Sequence, residues 1–134
     1  MYIPDNQSLK LIEIANAGIP NLEYITLFAA ENINLAQYGL IIGYRPFEIA
    51  TPLTNFYFWL SEVNVDKGTW IFVFTGSGTS RFTKTTTNEP AYLMYWGNKN
   101  VLFNDANVVP ILFQMGAAEI GKSRGINNLL PSQN

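Results

Sequence analysis

The chain contains no cysteine and no histidine among its 134 residues. Without cysteine there is no disulfide framework and no thiolate nucleophile, and the redox compartment leaves no mark. Without histidine the commonest general base and the commonest transition-metal ligand are missing. A Ser-His-Asp or Cys-His triad cannot be assembled within one such chain. Zinc sites of ordinary type lack their ligands too, so neither a metal nor any other cofactor is expected. Charge is also scarce. Asp, Glu, Lys and Arg make up 13% of the chain, about half their share in an average soluble domain. The formal charge is −2, and the eight Lys and Arg residues are scattered rather than clustered. No basic face for nucleic acid is therefore expected. No apolar run reaches membrane-spanning length: residues 56–60 are intensely apolar, but the run is short and Glu62 closes it. The opening residues, from Met1 to Gln7, show neither a basic stretch nor an apolar core of signal-peptide type. The expectation is a protein without membrane insertion, cytoplasmic by default, with an exported setting left open.

What the chain does have is apolar side chains, 48% of the total, and enough length for one domain with a substantial core. Runs rich in β-branched and aromatic residues occur at 9–16, 22–29, 38–44, 56–64, 69–75, 91–96, 108–113 and 117–120. Asn, Gly, Pro and Asp punctuate them, as in Ala17-Gly18-Ile19-Pro20-Asn21, Asp66-Lys67-Gly68 and Gly97-Asn98-Lys99-Asn100. Strands at this spacing predict an all-β fold. An antiparallel β sandwich of about eight short strands is the first expectation, and a small closed barrel is the alternative. The stretch from Leu9 to Leu40 is expected to form an antiparallel meander, and short helical turns are expected near 32–37 or 101–105. Residues 1–8 are expected to form an arm, 9–120 the domain and 121–134 a polar tail, with Leu129-Leu130 as its only apolar pair. The longest polar connection inside the domain is 76–90.

The order of motifs resembles the lamin-tail-like domain. In that family the text runs roughly Ile-x-Glu-Ile, then Glu-Trp/Tyr-Ile-Glu-Leu, then Asp-Leu-Ser-Gly-Trp-x-Leu. Here Glu13-Ile14, Glu23-Tyr24-Ile25-Thr26-Leu27 and Asn34-Leu35-Ala36-Gln37-Tyr38-Gly39-Leu40 take those places. Further along, the run from Asp66-Lys67-Gly68 to Phe74 resembles the family's glycine followed by an apolar strand. The run from Leu102-Phe103-Asn104-Asp105 to Leu112 resembles its Leu-x-Asn-x-Gly-Asp-x-Val-x-Leu. The similarity covers residues 9–120. Thr26 stands where the family has an acid, Gln37 and Tyr38 where it has Gly and Trp, and Ala106 where it has the turn Gly. The resemblance implies an immunoglobulin-like β sandwich that mediates protein contacts without catalysis. It gives Glu13, Glu23, Tyr24, Leu35, Tyr38 and Asn104 structural roles.

Splitting the strands by parity exposes a further property. Phe56, Phe58 and Leu60 face one way, and Tyr57 and Trp59 the other. Trp70, Phe72 and Phe74 oppose Ile71 and Val73, while Tyr92, Met94 and Trp96 oppose Leu93 and Tyr95. An antiparallel strand with one wet face alternates apolar with polar; these strands are apolar on both. The rings are covered within the monomer, or they form a homo-oligomer interface, or they make a stacking platform for sugar or peptide. Tyr57, Trp59, Tyr92 and Trp96 are the candidate contact residues, with Arg81 as a cation for an acidic partner.

Chemistry is harder to find. Glu13 and Glu23 lie on adjacent strands and would suit acid–base work, but a Glu that accepts backbone N–H bonds is the plainer reading. Asp105 with Asn104 and Asn107 offers oxygens to a hard cation, yet such clusters are usually turns. The Gly76-Ser77-Gly78 loop lacks the Gly-Lys-Ser/Thr ending of a phosphate cradle. The expected function is therefore a non-catalytic protein-binding or assembly module, with a protein partner or self-association. A carbohydrate- or small-ligand-binding sandwich using exposed Trp and Tyr is the alternative.

Overall fold

A β-branched or aromatic side chain fits the pleated surface of a sheet, and nearly every regular element of this chain is a strand. The computed structural model describes residues 8–119 and 121. The expected arm (except Ser8), Ile120 at the end of the last expected strand, and the tail beyond Gly121 lie outside the described residues. The strands are β1 (Leu9–Ala15), β2 (Tyr24–Ala29), β3 (Ile33–Asn34), β4 (Tyr38–Tyr44), β5 (Thr51–Trp59), β6 (Asn64–Val65), β7 (Trp70–Phe74), β8 (Arg81–Lys84), β9 (Pro90–Tyr95) and β10 (Val108–Gln114). Among the described residues a single 3-10 turn, Leu35–Gln37, precedes β4. The Asn34 side chain caps it by accepting from the Ala36 N–H.

Two sheets face each other. One has five strands in the order β1-β2-β7-β9-β8, the other three in the order β10-β4-β5, and β3 pairs with β6 alone. The sheets do not close into a barrel, so the sandwich expectation holds. All pairings are antiparallel except β7 with β9, which run parallel. The core lies between the sheets. Ile25 and Leu27 of β2, Ile71 and Val73 of β7, and Met94 of β9 meet Tyr38, Leu40 and Ile42 of β4. Alternation explains the choice: each of these residues is separated from the next on its strand by one that points out.

The sequence expectation needs correction in four places. The meander does not continue past β2. β1 and β2 pair, but the 3-10 turn carries the chain across to the other sheet before β4 begins. β5 starts at Thr51 rather than Phe56 and ends at Trp59, and the remainder of the expected strand, residues 60–64, holds only Asn64, the first residue of the two-residue β6. β8 forms inside the stretch expected to be a polar loop. No strand forms over 117–119.

The turn between β1 and β2 needs backbone that L-residues rarely adopt. Asn16, Gly18 and Asn21 have φ of 53°, 80° and 63°. Asn and Gly are the residues that enter this region at least cost. At Gly18 a β-carbon would also stand 2.8 Å from Asn104 Oδ1, so the turn is pressed against the loop that precedes β10.

Candidate functional site

The outer face of the three-stranded sheet carries no charge. On β5 it presents Tyr57 and Trp59, on β4 Gly39, Ile41 and Gly43, and on β10 Val109, Ile111 and Phe113. The two glycines allow the neighbours to lie down. A β-carbon at Gly39 would collide with the Phe113 ring, and one at Gly43 would stand 2.7 Å from Ile111 Cδ1. The result is a low, apolar surface from which two rings stand out: Tyr57 is 67% exposed and Trp59 47%. The Trp59 indole is held in place, because its Nε1–H donates to the Ala36 carbonyl at 2.6 Å.

Tyr92 and Trp96 lie elsewhere. Tyr92 is only 7% exposed and belongs to the core. Its ring meets that of Phe82 at 4.6 Å. Trp96 stacks on Phe58, centroids 5.2 Å apart at 21°, and closes the flank of the core beside β5. The structure therefore separates the four candidate rings: Tyr57 and Trp59 face out from one sheet, and Tyr92 and Trp96 turn inward. Arg81 is exposed on β8, away from the Tyr57/Trp59 face.

Rings also occupy the outer face of the five-stranded sheet, but they cover one another. Tyr24 packs on Phe72 at 5.5 Å and on Phe74 at 5.0 Å, Phe74 stacks on Tyr95 at 5.2 Å, and Phe28 meets Trp70 at 4.6 Å. The Trp70 indole donates to the Glu89 carboxylate. The loop after β7 crosses this face so closely that a β-carbon at Gly78 would enter the Tyr95 ring.

The two glutamates have opposite environments. Glu13 is exposed on β1. Glu23, at 1% exposure, is a buried carboxylate with four donors. Oε2 accepts from the Gly18 N–H at 2.7 Å and the Phe103 N–H at 3.0 Å. Oε1 accepts from the Thr75 hydroxyl at 2.7 Å and the Leu102 N–H at 2.8 Å. An ionised carboxylate offers about four acceptor sites, so its capacity is used. Glu23 fastens the β1–β2 turn, the end of β7 and the loop before β10 to one point. Asp105 is a turn residue: its Oδ1 accepts from the Asn107 N–H at 2.8 Å and its carbonyl from the Val108 N–H at 3.0 Å. Leu35 and Tyr38 are buried. The Tyr38 hydroxyl has no partner among the described residues.

A groove that the sequence did not announce runs between the sheets on the flank where β1 faces β10. It encloses about 960 Å³ between residues of β1 such as Leu11 and Ile14 and residues of β10 such as Pro110 and Leu112, with Arg45 and Glu48 beside it. Its walls come from opposite ends of the chain, so no local pattern could reveal it. Among the described residues no cluster of three or more Asp and Glu could hold a metal ion, and no helix is long and apolar enough to cross a membrane. Comparison with known proteins finds no family model, no curated protein and no solved structure that matches the chain.

Proposed function

We propose that this chain is a non-catalytic protein-binding or assembly module of the lamin-tail type, and that it meets its partner through the outer side of the three-stranded sheet. One observation carries the reading: an uncharged sheet face from which Tyr57 and a tethered Trp59 project into solvent. Aromatic residues that are rigid, large and polar at one point are the usual anchors of protein contacts. The lamin-tail reading is supported by the placement of its motifs. Glu13-Ile14 lies on β1, Tyr24 to Leu27 on β2, and Glu23 directly before β2 ties three loops together.

Sedimentation of the parent chain and of Trp59→Asp tests this. Association in the parent, lost in the variant with its circular dichroism unchanged, is expected. A parent that sediments as a lone 15.1 kDa particle at every concentration, indifferent to the substitution, removes this surface. Stacking of a sugar on the half-exposed, fixed Trp59 indole is the second reading. It requires tryptophan emission to respond to a glycan panel in the parent and not in Trp59→Ala.

A further inference from the structure

An apolar side chain left in water is unfavourable, and the two barest among the described residues belong to one loop. Phe47 is 87% exposed and Ile49 84%. Both lie in the connection between β4 and β5, residues 45–50. Arg45, Glu48 and Ala50 of the same loop line the groove between β1 and β10. Tyr44 pairs with Thr51 and with Val108, so the loop is rooted beside the first residues of β10. Its start is held there as well, because the Arg45 N–H donates to the Asn107 carbonyl. The bare side chains and the groove are therefore neighbours.

Neither wall of the groove suits a visiting strand. β1 breaks its register between Leu11 and Glu13, and such a bulge twists an edge away. On β10 the obstacle is a proline. The Arg45 N–H bonds to Asn107, as above, and the Met115 N–H donates to the Gln37 carbonyl. Hydrogen-bonded pairs alternate along an antiparallel ladder. The odd-numbered residues of β10 therefore bond to β4, and the even-numbered ones point their backbone outward. Pro110 is even-numbered, so the open side lacks a donor there. A helix is too wide: it measures about 10–12 Å across, and packed sheets stand only about 10 Å apart.

The lining narrows the choice further. The groove encloses about 960 Å³, and small-molecule sites occupy about 300–1,000 Å³. Aromatic residues make up 14% of the chain, yet none is among the described residues that line the groove, whose apolar walls are Leu, Ile, Val, Ala and Pro. A planar ring or a sugar would find nothing to stack on. An aliphatic chain fits such walls. Lys10 and Arg45 line the groove with Glu13 and Glu48, two charges of each sign. A ligand with a single charge meets repulsion together with its attraction, and loses hydration on entering.

We infer that this groove binds a small uncharged molecule with one aliphatic chain, and that residues 45–50 are its lid. The chain lies along Leu11, Ile14, Pro110 and Leu112. A neutral polar head such as a hydroxyl, which both donates and accepts, suits a rim that offers ammonium, guanidinium and carboxylate groups. Three residues of extended backbone span about 10 Å, so Phe47 swings from the root of the loop across the groove. Closure covers the ligand and the two bare side chains together. The site is separate from the Tyr57/Trp59 face, and failure of either leaves the other standing.

An NMR titration of the full chain with decanol, decanoate and decylammonium, beside amide hydrogen exchange, tests this directly. Decanol produces saturable shifts at the Leu11, Ile14 and Leu112 amides, and exchange slows in residues 45–50 as the lid closes. Decanoate and decylammonium, which bring a charge into the groove, bind about tenfold or more weakly. Leu11→Glu and Phe47→Ser each lower decanol affinity by about tenfold, with circular dichroism unchanged. Shifts that do not saturate at these amides overturn the site. Amides of residues 1–7 that are protected in the free chain, and that decanol does not release, overturn it too, because the chain then fills the groove itself. Decanoate bound as tightly as decanol overturns the uncharged ligand, and a Phe47→Ser chain that binds as the parent does overturns the lid.

Discussion

Glu23→Gln is the most informative single substitution in this chain, because it changes the chemistry of one buried group without changing its shape. All four partners of the carboxylate are donors: three backbone N–H groups, from Gly18, Leu102 and Phe103, and the Thr75 hydroxyl. An amide replaces one acceptor oxygen with a donor. With the NH₂ at the Oε2 position, two backbone N–H groups lose their acceptor. With the NH₂ at the Oε1 position, the Thr75 hydroxyl turns to accept, and only the Leu102 N–H is orphaned. The second arrangement is therefore preferred. One unsatisfied buried donor costs about 1–3 kcal/mol, and the remaining bonds lose their charge assistance. The expected loss is about 2–4 kcal/mol, or roughly 10 °C in Tm for a chain of this size. Urea unfolding followed by tryptophan emission measures it, with an unchanged m-value confirming that the same surface unfolds. Thr75→Val is the control: it removes a donor and leaves the carboxylate three partners, at a cost of about 1 kcal/mol. A Glu23→Gln chain as stable as the parent would refute the assignment of this carboxylate as the joint between three loops.

Three other outcomes follow from the same geometry. Gly39→Ala drives a methyl into the Phe113 ring and lowers stability by about 1–3 kcal/mol, with part of the loss recovered when Phe113→Leu is added. Tyr38→Phe removes a buried hydroxyl that has no partner among the described residues; thermal melting is expected to show a gain of about 1 kcal/mol, and a loss would reveal a partner. Pro110→Thr restores a donor on the open side of β10, so the fold is retained while light scattering on incubation rises faster than for the parent.

Much of the sheet framework was legible, and the exceptions have physical causes. β2, β4, β7 and β9 bury at least one face, so their apolar runs are dense and their punctuation by Asn and Gly is clear. β8 buries little: apart from the Phe82 ring against Tyr92, Arg81 to Lys84 are held by backbone pairing to β9, and a strand without a well-buried face has no pattern to read. Pro52 masked the start of β5, because a proline in an apolar run argues against a central strand; β5 is an edge, where proline is tolerated. The orientation of Tyr92 and Trp96 was hidden for another reason. Both faces of β9 are apolar, and only the neighbouring strands decide which one points inward. The Tyr57/Trp59 parity was readable from sequence, but the glycines that flatten the surface beside it acquire meaning only with the register.

The parallel pairing of β7 with β9 divides the larger sheet in a way that matters under load. β1 with β2, and β8 with β9, are hairpins closed across short connections, and β7 is the one strand that binds them together. Its bond to β2 is antiparallel and its bond to β9 parallel, and parallel ladders are somewhat weaker per residue. Parting the sheet beside β9 breaks the weaker ladder but also draws Tyr92 and Met94 out of the core, so that seam is held by side-chain packing as much as by its backbone.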